Sequence, residues 1–287
     1  MKRLAVVIVH GIGSENKHYS TEFKHRVVER YLKGNGHERR EDDLLFHEIY
    51  WGDLLQHDND DLLDTLDYRK ELTYTAFRQL FIDSMSLGLA YNRHDEQGLY
   101  QLIHNRIAES MKKLASHRHV DPDNTPVVLL AHSFASVIMS HYIQDINQAK
   151  DSEKFSQLSH LESFRTLAGI ITCGSPLAIY DSLTQRLPSP IDKVGSETDP
   201  AMVEHVKWLN FYDKDDVVAY PMKNISDEYH RVVSEDLEIN VGSARTSWNP
   251  ACHTGYWEDK DFYRPVADYL GELRAVKEYW DSPDNSN

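Results

Sequence analysis

The chain has 287 residues and a formal net charge of −15 at pH 7, with 31 basic against 46 acidic side chains. This length is typical of one α/β domain with an insertion, and 40% of apolar side chains is enough for a hydrophobic core. The negative charge disfavours nucleic acid, whose binding depends on Lys and Arg at the phosphates, and it also disfavours docking on anionic lipid.

The chain begins with Met1, two basic residues and an apolar run over residues 4–9. This start imitates a signal peptide, but the run ends at His10 after about six residues, which is shorter than an h-region. We therefore predict a first β-strand over residues 4–9, buried on both faces. No stretch approaches the ~20 apolar residues of a membrane span, so we expect no integral membrane segment.

The predicted first strand runs directly into His10-Gly11-Ile12-Gly13. Glycines at the end of a strand allow backbone N–H groups to approach a bound substrate closely. The pattern fits a plain glycine turn, a dinucleotide phosphate loop or a loop that stabilises an anion. It lacks the third glycine of the dinucleotide fingerprint and a distinctive acidic residue after a second strand, which disfavours nucleotide binding.

Strands and helices alternate along the rest of the chain. Strands are predicted over residues 44–51, 127–130, 167–173, 206–212 and 229–241, and helices over 21–32, 133–147 and 259–280. Such alternation predicts a mostly parallel sheet with helices on both faces, whose ligands bind beyond the carboxyl ends of the strands. Residues 281–287 form a polar tail.

Residues 53–120 are too long for a simple crossover between two strands. They carry two patterns of helical spacing, over residues 62–85 and 99–114, with Gly88 and Gly98 between the patterns or near their ends. The segment is either a helical insertion that caps a site or a pair of helices packed on the sheet. Residues 176–205, rich in Pro and Ser, are a second candidate cap.

The most informative stretch is Ala131-His132-Ser133-Phe134-Ala135, between an apolar run and a predicted helix. A strand that ends abruptly in serine and passes at once into a helix is the form of a nucleophile elbow. In that turn the serine has a strained backbone, and the residues two before and two after it are small. An ordinary strand-to-helix junction also fits these five residues, so the catalytic interpretation needs support from other segments.

Two later segments give the order Ser, Asp, His. The strand predicted to end at residue 212 is followed by an acidic loop that contains Asp213, Asp215 and Asp216. His253 lies in Cys252-His253-Thr254-Gly255-Tyr256-Trp257, shortly before the last predicted helix. This order marks the α/β-hydrolase variant of the serine triad and differs from the chymotrypsin and subtilisin orders.

The chain resembles an α/β-hydrolase of the lipase/esterase branch, and in particular bacterial members with Val-His-Gly-Ile-Gly near the start and His-Thr-Gly-Tyr-Trp near the end. Gly-Ser-Pro at residues 174–176 is similar to the motif that lipase-like members place there. The resemblance implies an α/β-hydrolase fold in one domain over residues 1–280, with Ser133 as nucleophile, Asp216 as acid and His253 as base. The sequence departs from the family at Ala131 and Ala135, where glycine is usual.

Asp216 is the preferred acid because the Val-Val-Ala after it resembles an Asp-Pro-Val pattern in related hydrolases, but Asp213 and Asp215 stay open. The resemblance also implies an oxyanion hole made of the backbone N–H groups of Ile12 and Phe134. Further substrate-binding residues are expected at Gly11, Gly13, Tyr256 and Trp257. The aromatic side chains near the motifs either line an apolar acyl pocket or pack in the core: Trp51, Phe134, Trp248, Tyr256 and Trp257.

The predicted function is that of a serine hydrolase that cleaves small carboxylic esters through an acyl-enzyme intermediate. We expect no cofactor and no metal, because His117, His119 and the Asp-Asn-Asp-Asp segment at residues 58–61 lack complete ligand sets. A thioesterase or an amidase would use the same triad. The alternative from another class is a degenerate hydrolase fold that binds a ligand or partner without turnover.

The two cysteines, Cys173 and Cys252, are too few for a disulfide framework in a chain of this length. We interpret both as small packing residues. Their number favours a reducing compartment, and we expect a cytoplasmic protein.

Overall fold

A six-stranded sheet, parallel throughout, forms the centre of the molecule. The computed structural model describes residues 2–12, 17–34, 39–55, 65, 75–95, 97–184, 189–242 and 250–280. The strands are β1 (Leu4–Val9), β2 (Leu44–Ile49), β3 (Val127–His132), β4 (Leu167–Cys173), β5 (Trp208–Tyr212) and β6 (Glu235–Glu238). Their order across the sheet is β2-β1-β3-β4-β5-β6, which confirms the predicted α/β class.

Helices connect successive strands. They are α1 (Thr21–Leu32), α2 (Thr75–Ala90), α3 (Leu99–Ala115), α4 (Ala135–Gln148), α5 (Glu153–Ser156), α6 (Leu177–Thr184), α7 (Pro200–Val203), α8 (Asp227–Val232), α9 (Lys260–Arg274) and α10 (Lys277–Trp280). Short 3₁₀ turns occupy Glu41–Asp43, Gly52–Leu54, Pro250–Thr254 and Tyr256–Glu258. Among the residues described, no helix combines the length and apolar character that crossing a bilayer requires.

The sheet has a hydrophobic core on each face. In β1, Leu4, Val6 and Ile8 belong to one core and the residues between them to the other, because successive side chains of a strand point to opposite faces. Helices α3 and α4 contribute to one core, and α1 and α9 to the other. Both faces are therefore covered by helices, as the continuous apolar strands predicted.

The strand order reverses between β1 and β3. The chain first passes from β1 outward to the edge strand β2, then returns to place β3 on the other side of β1. Parallel pairing runs from Ala5 with Val127 to Val9 with Ala131, so the carboxyl ends of these two strands lie side by side. Ligands of open α/β sheets bind at such a reversal, which here brings together the loops after β1 and β3.

The predicted strand over residues 229–241 is wrong. The chain forms helix α8 (Asp227–Val232) and only then the shorter edge strand β6 (Glu235–Glu238). Ser226 caps the helix, because its side chain accepts a hydrogen bond from the backbone N–H of Tyr229. Tyr229 and Val233 are both buried and lie one helical turn apart, a spacing that fits the helix as well as a strand.

Other predicted boundaries move by short distances. The strands at 44–51 and 206–212 are shorter and occupy Leu44–Ile49 and Trp208–Tyr212, whereas the strand predicted over 127–130 extends to His132. The helix predicted from residue 133 begins at Ala135, and the last predicted helix is divided into α9 and α10. The polar tail at 281–287 lies outside the described residues.

The described part of residues 53–120 contains two helices with different surroundings. Helix α3 buries Tyr100, Ile103 and Ile107 in the core on the sheet, which is the packing alternative. Helix α2 lies against the turn Pro250–Thr254 that carries His253, so it flanks the candidate site. Much of the first predicted pattern, residues 62–64 and 66–74, lies outside the described residues.

Candidate active site

Ser133 occupies the sharp turn between β3 and α4. Its φ is 56°, in the left-handed region that residues other than glycine rarely adopt. Its N–H still donates to the carbonyl of Cys173 at 2.9 Å, and its own carbonyl accepts from the N–H of Ser136 at 3.0 Å. The turn forms with alanine at both neighbouring positions, Ala131 and Ala135, so the missing glycines do not prevent it.

Ser133, His253 and Asp216 form one chain of hydrogen bonds. The distance from Ser133 Oγ to His253 Nε2 is 2.8 Å, and from His253 Nδ1 to Asp216 Oδ2 it is also 2.8 Å. Because a carboxylate only accepts, the proton of His253 is on Nδ1 and the lone pair of Nε2 faces the serine hydroxyl. All three residues are buried, with 5%, 2% and 2% of Ser133, His253 and Asp216 exposed.

The Asp216 carboxylate is held by two further donors. Tyr256 donates its hydroxyl to Oδ2 at 3.0 Å, and the backbone N–H of Val218 donates to Oδ1 at 3.1 Å. A buried carboxylate with each oxygen engaged is oriented without a cation beside it. Asp216 is therefore fixed in position to hold the imidazole of His253.

Of the three acidic residues in the loop after β5, Asp216 is the one brought to His253. Asp213 is fully buried and accepts instead from the N–H of Asp215 at 2.8 Å and from the N–H of Val241 at 2.6 Å. It ties this loop to the segment that leads toward His253. The alternatives that the sequence left open are thus separated by geometry.

The loop after β1 lies against the turn that carries Ser133. A Cβ on Gly11 would be 2.5 Å from Ser133 Cβ and 3.0 Å from Ser133 Oγ, so a side chain at this position would collide with Ser133. Gly11 therefore allows this loop to lie close to Ser133, whereas its predicted contact with a substrate stays a prediction. Gly13, predicted beside it, lies outside the described residues.

His10 fixes the orientation of that loop. Its Nε2 accepts from the backbone N–H of Trp51 at 3.1 Å, so Nδ1 carries the proton and donates to the carbonyl of Gly11. Trp51 Nε1 donates to the carbonyl of His10 at 2.9 Å, and the two rings stack with centroids 5.0 Å apart. Burial lowers the pKa of His10 to about 4, so the ring is neutral at pH 7.

The same contact sets the direction of the Ile12 N–H. In a trans peptide the N–H and C=O point in opposite directions, so holding the Gly11 carbonyl on His10 turns the Ile12 N–H away from it. Phe134 begins the first turn of α4, where backbone N–H groups have no partner within the helix. Phe134 directly follows Ser133, and Ile12 follows Gly11, which lies against Ser133. The role of both N–H groups as oxyanion donors stays a prediction.

His132 supports His253 from below the turn, a role that the sequence did not reveal. Its Nε2 donates to the backbone carbonyl of His253 at 3.1 Å, and the two rings are 5.2 Å apart. Burial lowers the pKa of His132 to about 3. His132 is thus a neutral donor that holds the backbone of the triad histidine.

Tyr256 and Trp257 lie behind the triad. Tyr256 is fully buried, and its hydroxyl links Asp216 to the backbone N–H of Asp213, from which it accepts at 3.1 Å. The ring of Trp257 packs edge-on against His132 at 5.2 Å and against Phe23 of α1 at 5.5 Å. These contacts favour positioning and packing roles, whereas the substrate contacts predicted for both residues stay predictions.

A pair of serines joins the turn at Ser133 to the loop after β4. Ser136 donates its hydroxyl to the carbonyl of Ser133 at 2.7 Å, so the proton between Ser136 and Ser175, 2.6 Å apart, belongs to Ser175. Ser175 also accepts from the N–H of Leu177 at the start of α6. The Gly-Ser-Pro motif was the only sequence signal for this link.

The two cysteines and the remaining tryptophans named in the sequence analysis are buried in packing positions or lie outside the described residues. Cys173 and Cys252 are free and buried, and burial raises the pKa of both thiols, that of Cys252 to about 12. Trp51 packs in the core and Trp248 lies outside the described residues, as do residues 58–61. Within the described ranges, no group of three or more His, Cys, Asp and Glu side chains is arranged to hold a metal ion.

Comparison with known protein families and with curated proteins finds no relative of this chain. Membership of the α/β-hydrolases therefore remains an inference from motifs and geometry. The functional argument depends on the site itself.

Proposed function

We propose that the protein is a serine hydrolase of the α/β-hydrolase type that cleaves carboxylic esters. The single observation that carries the proposal is the continuous chain Ser133 Oγ, His253 Nε2, His253 Nδ1, Asp216 Oδ2, with 2.8 Å at each hydrogen bond. The chain lies at the carboxyl edge of the sheet beside its reversal, where ligands of such folds bind. A serine hydroxyl is a poor nucleophile unless a base of this kind accepts its proton.

The reaction has two halves. As Ser133 Oγ forms a bond to the ester carbonyl carbon, its proton passes to His253 Nε2, and Asp216 stabilises the resulting imidazolium. The tetrahedral intermediate breaks its bond to the alcohol oxygen, which takes that proton and leaves. Water then attacks the acyl-serine with His253 as base, and the proton returns to Ser133 Oγ as the acid departs.

The negative oxygen of each intermediate needs donors that are already in place. The N–H groups of Ile12 and Phe134 are assigned this role, the first oriented through His10 and the second at the start of α4. Removing one such donor typically costs about 3 kcal/mol of transition-state stabilisation. Because both act through the main chain, the side chains at these positions are free to serve other contacts.

A fluorophosphonate probe tests the proposal directly, since it reacts only with an activated serine. We expect the unsubstituted chain to be labelled on the peptide that contains Ser133, as mapped by mass spectrometry. Ser133→Ala should abolish labelling, and His253→Ala should slow it strongly. Absence of labelling on folded protein would overturn the proposal and favour a fold that binds without turnover.

The bond that is cleaved is tested with one acyl group in three linkages. Butyryl esters, thioesters and anilides would be hydrolysed by the same triad, and we expect the ester to be turned over fastest. A faster thioester or anilide would reassign the protein to the thioesterases or the amidases.

We also keep a cytoplasmic location as part of the proposal, supported by the two free, buried cysteines.

A further inference from the structure

The loop after β2 is joined to the loop after β1 through the side chain of His10. The peptide unit between Tyr50 and Trp51 is engaged at both ends. Its N–H, that of Trp51, donates to His10 Nε2 at 3.1 Å, and its carbonyl, that of Tyr50, accepts from Arg106 Nη1 of α3 at 3.0 Å. The two groups of a trans peptide point in opposite directions, so this unit links Arg106 to His10 through the main chain.

A second peptide unit continues the series on the other side of His10. Because Nε2 accepts from Trp51, the neutral ring carries its own proton on Nδ1 and donates it to the Gly11 carbonyl. The N–H at the opposite end of that peptide belongs to Ile12, the predicted oxyanion donor. Three hydrogen bonds in series therefore lead from Arg106 to the peptide of Ile12, and the donor of each lies on the Arg106 side. We call this series the Arg106 relay.

The common direction of these hydrogen bonds has an electrostatic consequence. A donor at a peptide carbonyl draws electron density from that peptide and makes its N–H a stronger donor, and in a series these effects reinforce one another. The Arg106 relay begins at a guanidinium, which is always positively charged, and ends at the N–H assigned to a developing negative oxygen. Polarisation of this sign strengthens an oxyanion donor, whereas a series in the reverse direction would weaken it.

The middle of the Arg106 relay is shielded from water. His10 is 1% exposed, and Trp51 is fully buried. The two rings stack with an interplanar angle of 8°, and the ring of Tyr19 meets His10 edge-on at 4.8 Å. These contacts hold the imidazole in the orientation that connects the two peptides. In such surroundings polarisation along hydrogen bonds is screened less than it is in water.

Asp53 is the counterion of Arg106. Its Oδ1 lies 2.8 Å from Arg106 Nη1, and the pair is partly open to solvent, with 31% of the Arg106 and 43% of the Asp53 side chain exposed. The hydrogen bond from Arg106 lowers the pKa of Asp53, which is therefore ionised at pH 7. Exposed ion pairs of this kind contribute little to stability. Arg106 thus has two contacts, one with Asp53 and one with the Tyr50 carbonyl, that substitution can separate.

We propose that Arg106 is a positioning residue for ester hydrolysis, which orients and polarises the Ile12 N–H through Trp51 and His10. The proposal rests on the hydrolase function and on the assignment of Ile12 as an oxyanion donor. It gives α3 and the loop after β2 a part in stabilising the transition state, although neither contributes a member of the triad.

Arg106→Met tests the proposal, since it removes the cation and keeps the aliphatic stem. Polarisation of about 10–30% would act on an oxyanion bond that contributes about a hundredfold in rate, so kcat for a butyryl ester should fall about fourfold with KM nearly unchanged. A trifluoromethyl ketone forms an adduct with serine that carries the same negative oxygen. Its inhibition constant should rise by the factor by which kcat/KM falls, because both report binding of that oxygen.

Asp53→Asn is the matched control. It removes the same ion pair but leaves Arg106 on the Tyr50 carbonyl, so kcat and the inhibition constant should stay nearly unchanged. In a His10→Phe background, where the relay is already interrupted, Arg106→Met should have no further effect. An unchanged Arg106→Met enzyme would overturn the proposal. So would equal losses in Arg106→Met and Asp53→Asn, or a full effect of Arg106→Met in the His10→Phe background.

Histidine ¹⁵N NMR tests the relay without turnover. We expect His10 to carry its proton on Nδ1 at pH 7, and Arg106→Met to shift the Nε2 resonance toward that of a nitrogen without a hydrogen bond. Asp53→Asn should leave that resonance in place. A proton on Nε2 would reverse the relay and overturn the proposal, even in an active enzyme.

Fluorophosphonate labelling of the same samples distinguishes this failure from that of the hydrolase proposal. An unlabelled chain with the expected His10 spectrum contradicts the hydrolase function, and with it the role in catalysis, but not the relay itself. A chain that is labelled at Ser133 and in which Arg106→Met changes nothing contradicts only the inference about Arg106.

Discussion

The phenol of Tyr256 connects the side chain of Asp216 to the backbone of Asp213. Its hydroxyl donates to Asp216 Oδ2 at 3.0 Å and accepts from the N–H of Asp213 at 3.1 Å. A single buried oxygen thus holds the acid and the loop that carries it. A hydrogen bond to a charged group in such a position contributes about 1.5–3 kcal/mol.

Tyr256→Phe should therefore lower kcat for ester hydrolysis about tenfold and leave KM nearly unchanged. The ring still fills its place in the core, but Asp216 loses a donor and is oriented less firmly against His253. Steady-state kinetics on a butyryl ester measures the effect. Tyr220→Phe is the matched control, since its hydroxyl belongs to the same loop but donates to the carbonyl of Val217 rather than to Asp216. Equal kinetics for Tyr256→Phe and the unsubstituted chain would remove Tyr256 from this role.

Gly11→Ala should be among the most damaging small substitutions in the chain. The added Cβ would be 2.5 Å from Ser133 Cβ, so either the loop or the nucleophile turn must move. We expect at least a hundredfold loss of kcat/KM, the scale of a lost oxyanion donor. Gly88→Ala, with nothing within 4 Å of the new Cβ, should retain full activity and unfold no more easily. An active Gly11→Ala enzyme would contradict the assigned loop.

Sequence could predict the residues of the triad but not those that position them. Ser133 and His253 lie in short motifs with a known chain order, and the structure brings them to 2.8 Å. His132 and Tyr256 act through contacts with residues 121 and 40 positions away, respectively, and no local pattern reports such distances. These contacts can be identified only in the folded structure, where the sheet brings the distant residues together.

At the scale of elements, the loop after β5 divides its acidic residues between two tasks. Asp216 faces His253, whereas Asp213 binds the N–H groups of Asp215 and Val241 and holds the loop against the segment that follows β6. The loop therefore contains both the hydrogen-bond partner of His253 and a structural clamp. Substitutions in it should separate these tasks.

Asp216→Asn should abolish most ester hydrolysis, about 10³-fold or more, with a modest change in the free energy of unfolding. Asp213→Asn should do the reverse, because an amide NH₂ facing a buried backbone N–H leaves donors unpaired and costs about 1–3 kcal/mol. Asp215→Asn is the control and should change neither. Urea unfolding and esterase assays on the three variants measure the pair of effects. Greater loss of activity in Asp213→Asn than in Asp216→Asn would exchange their roles.

Elements buried on both faces were the predictable ones. Strand β1 is a continuous apolar run and β4 is apolar except for Thr172. Both end at glycine-containing loops and occupy the predicted residues. The sequence prediction misplaced strand β6 for two reasons. The strand is a short edge strand of Glu, Asp and Leu with little apolar content. It also follows a helix whose apolar side chains have a spacing that fits a strand as well. An edge strand is defined by its partner β5 more than by its own sequence.

At the scale of the whole molecule, burial suppresses the charge of several histidines. The pKa values of His10 and His141 are lowered to about 4, and those of His104 and His132 to about 3, in each case chiefly by burial. They lie in the loop after β1, on α4, on α3 and at the end of β3, so no single site contains them all. Each is neutral in the folded chain over the range where an unfolded histidine takes up a proton.

This distribution predicts a fold that loses stability early on acidification. Below the ordinary histidine pKa of 6.5, the unfolded chain binds protons that the folded chain excludes, so the free energy of unfolding falls as pH drops from about 6.5 toward 4. Urea unfolding at pH 7.5, 6.5, 5.5 and 4.5 measures how steeply the free energy of unfolding changes with pH. His104→Gln should reduce this slope by the equivalent of up to about one bound proton. His117→Gln, at an exposed position, is the control and should leave the slope as it is. An unchanged slope in His104→Gln would mean that His104 is protonated within the fold.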